Sequence, residues 1–344
     1  MTQGIMQGIL PQQAIITLLE SRAIDAPPMG KDGHPTQVQP ASLDLRLGHK
    51  AYRLRASFLP GNKRKVLDCL DDVRMHEVDL THGAVLETGC VYLVPLQENL
   101  ALPKDIAAAA NPKSSTGRLD VFTRVICDNA TQFDAMPNGY KGPLYVEIAP
   151  RTFSILVRPG DRIVQMRFRK GGIKNLDTQT VSLDLKGFDD SGIIGWRARR
   201  HAGLVDVSNV GGHKARDFWE PLYSDAGQLV LDPEEFYILA SKESVSIPAN
   251  QAAEMAPIAT EIGEFRAHYA GFFDPGFGVA AMGGGGSRAV LEVRGRDVPF
   301  LMRDGQPVAK LLFEAMTETP SSLYGEKGSH YQAQSLKLSK HFAL

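Results

Sequence analysis

The segment YLVPLQENLALP, Tyr92 to Pro103, reappears 145 positions later as YILASKESVSIP, Tyr237 to Pro248. Both alternate apolar and polar residues, the period-two signature of a strand with one buried face. Both carry a glutamate at the same place, Glu98 and Glu243, and both end in proline, Pro103 and Pro248. At the same displacement Glu147 in LYVEI falls on Glu292 in VLEVR, Gly160 falls on Gly305, and Phe168 falls on Phe313. This many coincidences in one register identify an internal repeat, which has to be found before any fold is read. The copies run over residues 40–170 and 215–318. GVAAMGGGGS, from Gly278 to Ser287, has no counterpart in the first copy.

Outward from these segments the chain keeps one texture. Gly (33) and Pro (21) punctuate short runs rich in Val, Ile, Leu, Phe and Tyr, such as FSILVRPG, RIVQMRF, AVLEV and KLLFEAM. Short runs bounded by turn residues predict a mainly β protein, and turns this frequent in each copy predict a distorted barrel or sandwich with jelly-roll character. A helix is predicted over Pro11 to Leu19, where an early proline precedes apolar residues at helical spacing. KDIAAAANP reads as a second short helical turn. The expected organisation is a first unit over 1–170 with the N-terminal helix, a connector over 171–214 extending the sheets of one copy, and a second unit over 215–344.

Composition narrows the function. The 344 residues include 38 Lys+Arg and 39 Asp+Glu, a formal charge of −1, which argues against a general binder of nucleic-acid polymers. With 43% apolar and 22% charged residues the chain can bury an ordinary core. No apolar run approaches the roughly 18 residues of a membrane span, and MTQGIMQGILPQQ lacks a cationic leader, so a cytoplasmic protein is expected. Cys69, Cys90 and Cys127 form no CxxC pair, which predicts neither a disulfide framework nor a zinc clip.

Three motifs can carry chemistry. Lys113-Ser114-Ser115-Thr116-Gly117-Arg118 gathers cations and hydroxyls that can cradle phosphate oxygens. The same stretch also reads as a polar turn opening a helix, with Ser114 as N-cap. At the repeat displacement the second copy has Ile258, Ala259, Thr260 and Gly263, and so lacks the cradle. The second copy instead carries Phe272-Phe273-Asp274-Pro275-Gly276-Phe277, turn chemistry flanked by aromatics suited to a flat base. The first copy answers with Pro137-Asn138-Gly139-Tyr140, Asp134 lying just upstream. Finally, Glu147 and Glu292 each sit on an otherwise apolar strand. A carboxylate there is an ion-pair partner, a general acid/base with a raised pKa, or simply a strand residue facing solvent, which is the better reading of one such Glu taken alone. The signatures of P-loops, Rossmann nucleotide sites, HExxH metalloproteases, α/β-hydrolases and zinc deaminases are absent from the sequence. Gly283 to Gly286, with no following Lys-Ser/Thr, reads as a flexible hairpin tip.

Together QVQPASLDLRLG (Gln37 to Gly48), KSSTGR, AGFFDPGF, VLE (Val290 to Glu292) and the tail LYGEKGSHYQAQ resemble the dCTP deaminases of the dUTPase-like superfamily, in their long, tandem bacterial form. The resemblance implies two tandem dUTPase-like distorted β-barrels and hydrolytic deamination of dCTP to dUTP and ammonia, without zinc. Magnesium would enter through the substrate triphosphate. It implies phosphate contacts from Lys113, Ser114, Ser115 and Arg118, sugar and base contacts from Asp274 and Phe277, and substrate contacts from Val290 and Leu291. Glu292 becomes the catalytic glutamate, with Glu147 as second choice. Tyr324, His330 and Gln334 would form a lid on the triphosphate. His330 stands where the family has lysine, and Lys327 or Lys337 could substitute. Phe272 or Phe277 would wall off a 2′-hydroxyl. The expected site is composite, its phosphate cradle from copy one and its hairpin and Glu292 from copy two. The reciprocal site, Ile258 to Thr260 facing Glu147, would lack phosphate ligands. The partners implied are dCTP and dUTP, with no membrane and no nucleic-acid polymer. The copies would pair either within one chain or in a homo-oligomer, a trimer in this family. The alternatives are a bifunctional enzyme that also releases pyrophosphate from dUTP, and a non-catalytic nucleotide-binding protein.

Overall fold

The computed structural model describes residues 7–27, 36–172, 175–257, 265–268, 271–326 and 329–343. The chain is mainly β, built from small, mostly antiparallel sheets. Strand pairing recurs at the displacement seen in the sequence. Val91–Ala101 pairs with Lys141–Pro150 so that Leu93 faces Glu147, and Phe236–Ser244 pairs with Arg288–Gly295 so that Ile238 faces Glu292. Ala108 faces Phe168 as Ala253 faces Phe313, and Leu86 faces Ile155 as Leu231 faces Phe300. A slip of one residue would turn every apolar side chain to the wrong face, so the shared pattern holds the shared register.

The connector is divided between the halves. Asn175–Ser182 pairs with Pro307–Ala315 and Ile193–Ala198 with Phe236–Ser244, so both extend the sheets of the second copy. Val205–Asp206 runs parallel to Ile155–Val157 of the first copy, and His213–Lys214 runs parallel to Phe342–Ala343 at the end of the tail.

The helix near the start is Gln12–Glu20, with Pro11 at its N-cap position and Ile15 and Leu18 buried. Burying side chains of this size stabilises by about 1.5–3 kcal/mol each. KDIAAAANP departs from expectation, because Ile106–Pro112 is a strand hydrogen-bonded on both sides, to Val164–Lys170 and to Ala135–Met136. Helix propensity favours alanine by only a few tenths of a kcal/mol per residue, and two ladders of cross-strand bonds outweigh it. A helix over Val66–Val73 was not signalled by any reading of the sequence.

The two copies share a core. One cluster unites Leu43, Val94, Val146 and Phe168 of the first with Phe236, Ile238 and Val290 of the second. A second cluster, including Leu239, Leu291, Val293 and Leu311, fills the second copy itself. Buried ion pairs join the halves: Arg294 meets Asp120, Arg169 meets Glu314 at 2.6 Å, and Arg167 meets Asp274 at 3.2 Å. Among the described residues no helix is long and apolar enough to cross a membrane.

Candidate active site

The strand Ile106–Pro112 delivers the KSSTGR motif to the junction of the copies, where Ser114–Gly117 forms one helical turn. Lys113, not Ser114, occupies the N-cap position, and it makes no side-chain capping bond. Lys113 is ion-paired with Asp44, and Arg162 stands 3.8 Å from the same carboxylate.

From the opposite side comes the hairpin after Phe272–Phe273. The Phe277 amide donates to the Asp274 carbonyl at 3.1 Å, closing the Asp-Pro-Gly turn. Gly276 has φ +97°, and a Cβ there would lie 2.7 Å from Leu323 and 2.8 Å from the Tyr324 amide, so only glycine lets the tail lie this close. The fully buried Arg167 holds this hairpin to the first copy. It donates to the Ala253 and Phe273 carbonyls at 2.9 and 3.0 Å and stacks 4.2 Å from the Phe272 ring. Strand pairing puts Met136 at the place of Phe273, so Pro137 stands where the second copy has Asp274.

Glu292 lies on Arg288–Gly295. The strand's period of two turns Val290 and Glu292 toward the hairpin and cradle, and Leu291 and Val293 into the core of the second copy. Leu291 was expected to touch substrate. Its side chain is instead fully buried on the other face. Glu292 is 5% exposed, and its nearest cation is Arg118, whose Nε lies 3.8 Å from Oε1. Burial pushes the Glu292 carboxyl up to about 8, with the Arg118 charge acting in the opposite direction.

The tail closes the site. Arg118, expected on phosphate, donates to the Lys337 carbonyl at 2.8 Å and to Gln334 Oε1 at 3.0 Å, with the Tyr331 ring 4.1 Å from its guanidinium carbon. Gln334 in turn donates to the Arg288 carbonyl at 2.9 Å, on the strand that carries Glu292. Ser339 donates to the Ser115 carbonyl at 2.7 Å. The tetraglycine insertion packs beneath the tail, where Gln332 donates to the Gly276 and Met282 carbonyls and accepts from the Gly278 amide. Burial lowers the His330 pKa, helped by Lys340, Lys337 and Lys113. Lys337 donates to the His330 carbonyl. Lys327 lies outside the described residues.

These groups surround one cavity of about 330 Å³, formed within a single chain. The first copy contributes Lys113, Ser114, Ser115 and Arg118, and the second contributes Asp274, Phe277, Val290 and Glu292. Tyr324, His330 and Gln334 reach it from the tail. Sequence reasoning missed Asp44, Arg162, Tyr331 and Lys340 on its wall, and Arg167 behind it. Asp44 lies within QVQPASLDLRLG, and Tyr331 within the tail motif, which was the one available signal.

Glu147 is elsewhere. Arg124, directly across the strand, donates to it from Nε at 3.0 Å and stacks 3.7 Å from Phe133. The carboxylate does not line the cavity. The residues expected to face it, Ile258 to Thr260 and Gly263, lie outside the described residues.

The comparisons with known proteins point the same way. A family model described as the 2′-deoxycytidine 5′-triphosphate deaminase N-terminal domain matches residues 6–172, and one described as the C-terminal domain of that deaminase matches residues 161–342. A dCTP deaminase of Haloarcula marismortui is 30% identical over 166 residues, 46% of this chain and 79% of that protein. A relative from Beutenbergia cavernae named dCTP deaminase, dUMP-forming, is 34% identical over 136 residues, 38% of this chain and 65% of its own. The crystal structure of 2′-deoxycytidine 5′-triphosphate deaminase from Agrobacterium tumefaciens superposes with a TM-score of 0.86 at 53% identity, covering 90% of this chain and 99% of that one. On the family models and these likenesses, the chain belongs to the 2′-deoxycytidine 5′-triphosphate deaminase family.

Proposed function

We propose that this chain deaminates dCTP hydrolytically to dUTP and ammonia, in a site that draws on both copies of one chain. The observation that carries this reading is Glu292, a carboxyl held near 8 by burial at the junction of a cationic cradle and an aromatic hairpin. A carboxyl of that strength is matched to proton transfer near neutral pH. In its protonated form it gives a proton to cytosine N3. As the carboxylate it then takes one from the water that attacks C4, passes it to the departing amino group, and recovers its own proton from the C4 hydroxyl as the carbonyl forms and ammonia leaves. The atoms balance as dCTP plus water to dUTP plus ammonia. Val290 and the hairpin aromatics form the apolar wall for the base, and Phe272 or Phe277 is the wall that excludes a 2′-hydroxyl. Lys113, Arg162 and Lys340 supply positive charge for the triphosphate. Arg118 ties the tail to Glu292, so closure over the nucleotide and the setting of the acid/base are one event.

Magnesium suits this site as a passenger of the triphosphate. Among the described residues no group of three or more His, Cys, Asp or Glu could cage a metal ion, whereas Asp44 Oδ1 is a buried oxygen without a hydrogen-bond partner beside Lys113. Phosphate oxygens and water would hold the ion, Asp44 assisting, and its charge would help neutralise the phosphates. Water activation is assigned to Glu292 and not to zinc. The cytoplasm is the compartment proposed. The two copies, meeting in one chain, favour self-contained pairing over a site shared between subunits, and sedimentation velocity tests this.

The test is to incubate the protein with dCTP and magnesium, measure ammonia, and resolve the nucleotides by ion exchange. Equimolar ammonia and dUTP are expected. Ammonia with dUMP and pyrophosphate would instead establish the bifunctional reaction, a reading favoured by the dUMP-forming relative. Unchanged dCTP would overturn the deaminase and leave a nucleotide-binding protein.

A further inference from the structure

Behind the phosphate cradle lies a second cavity, of about 250 Å³. It shares Lys113, Ser115, Arg162 and Lys340 with the first, so these residues form a common wall. Its far side is built from parts the deamination reading leaves unused: Thr116, the turn at Gly160–Asp161, the connector at Val207, Ser208 and Val210, and His341. The connector is held there by backbone bonds, Val205 to Ser154 at 3.1 Å and Val207 to Leu156 at 3.2 Å, and by His341 Nε2 on the Val207 carbonyl at 3.0 Å.

The charge on this wall is unbalanced. Lys113, Arg162 and Lys340 face the cavity, and Lys340 forms no ion pair among the described residues. Burial first, and then the charges of Lys113 and Arg162, hold the Lys340 ammonium below its usual range, against the smaller pull of Asp44 and Asp161. The Lys113 carboxylate partner, Asp44, lines only the first cavity. Asp161 is the one carboxylate on the second, and both its oxygens are committed, Oδ2 to the Arg158 amide at 2.7 Å and Oδ1 to Ser208 at 3.0 Å. Three cations with hydroxyl donors and no uncommitted carboxylate are the recognition chemistry of a small, multiply charged oxyanion.

We propose that this second cavity binds an inorganic phosphate-type oxyanion, pyrophosphate or orthophosphate, at the same time as a nucleotide occupies the first. Because both anions draw on Lys113, Arg162 and Lys340, each weakens the other, and the anion is a negative effector of nucleotide binding. This coupling rests on the deaminase reading of the first cavity. The existence of the second site does not.

Calorimetric titration of the full chain with pyrophosphate, and separately with orthophosphate, tests both parts. Each is repeated on Glu292→Gln saturated with dCTP, so that the nucleotide is not consumed. The expected result is binding of one anion per chain that persists in the dCTP complex with a several-fold weaker Kd. Whichever anion gives the tighter isotherm is the ligand. Val210→Glu and Ser208→Asp each place a carboxylate on the exposed connector wall that lines the second cavity only. Either should weaken the anion at least tenfold while dCTP affinity falls by no more than bound anion lowers it, and the exposed Val210 position keeps the test available should Ser208→Asp unfold. Complete displacement of the anion by dCTP would overturn the proposal, making this cavity the end of the triphosphate channel. Anion binding indifferent to both substitutions, or absent altogether, would overturn it equally. Anion binding that passes these tests in a protein without dCTP turnover would retain the site while removing the deaminase reading.

Discussion

Glu147 and Glu292 occupy the same place in two copies of one unit, each opposite the equivalent residue of the neighbouring strand. Their surroundings differ. Glu147 is neutralised within its own copy by Arg124 directly across the sheet. Glu292 depends on the other copy, through Arg118 at 3.8 Å, and burial leaves its carboxyl near 8. On the proposed mechanism an identical strand position is an ion-pair anchor in one copy and a proton donor and acceptor in the other. The glutamate is the same in both, and what differs is whether the answering arginine comes from its own copy or from the other.

The sharpest attempt to break this comparison substitutes Gln at both positions. Glu292→Gln should lower kcat by about 10²–10⁴-fold, the usual contribution of a general acid/base, in a steady-state ammonia assay. It should also raise the melting temperature, and increasingly so with pH. Folding raises the Glu292 pKa from 4.5 to about 8, so the stability tied to its proton is complete below pH 4.5 and lost as pH rises through 8. Gln carries no charge to bury, so mutant and parent should converge near pH 5 and separate by pH 9. A Glu292→Gln protein less stable than its parent at pH 9 would contradict the assignment.

Next in size is the residue that makes the copies unequal. Arg167 clamps Asp274, and at the repeat displacement Leu312 replaces the arginine while Pro137 replaces the aspartate, so cation and carboxylate are lost together. Arg167→Met should cost about 3–5 kcal/mol in urea unfolding, because Asp274 is left buried without its partner. Adding Asp274→Asn should restore most of that.

Glu147→Gln is expected to destabilise by about 1–3 kcal/mol while leaving kcat within about twofold. The cost stays below that of a wholly buried pair because Arg124 is 25% exposed. The smallest expected effect is at the lid. His330 is uncharged at neutral pH, its pKa lowered by burial and nearby lysines, so His330→Lys should lower KM for dCTP about two- to fivefold with kcat nearly unchanged.

Much of this arrangement was legible in the sequence because it is encoded locally. Alternation and turn residues give the strands, and the displacement of 145 reappears in the strand registers. KSSTGR and FFDPGF drew the eye through their composition, and both reach the cavity. What escaped is long-range. Arg167 reads as one of two arginines in QMRFRK until a hairpin more than a hundred residues away meets it. Lys340 and Arg162 acquire meaning only when the tail folds back over the cradle. Arg118 does reach the cavity, but nothing near it in sequence announces its tail partners Gln334, Lys337 and Tyr331. The alanine run failed for a related reason, because its strand state is imposed by two neighbours distant in the chain.

On the proposed mechanism the two copies divide their labour, Glu292 performing the chemistry and Glu147 holding the structure. The most direct test is single-turnover conversion of dCTP by the parent, Glu292→Gln and Glu147→Gln, with ammonia and nucleotide products quantified together. Equimolar ammonia and deaminated nucleotide are expected from the parent and Glu147→Gln at similar rates, with conversion slowed at least about 100-fold in Glu292→Gln at unchanged dCTP affinity. Conversion by Glu292→Gln within about tenfold of the parental rate, or its loss from a folded Glu147→Gln, would overturn this division of labour.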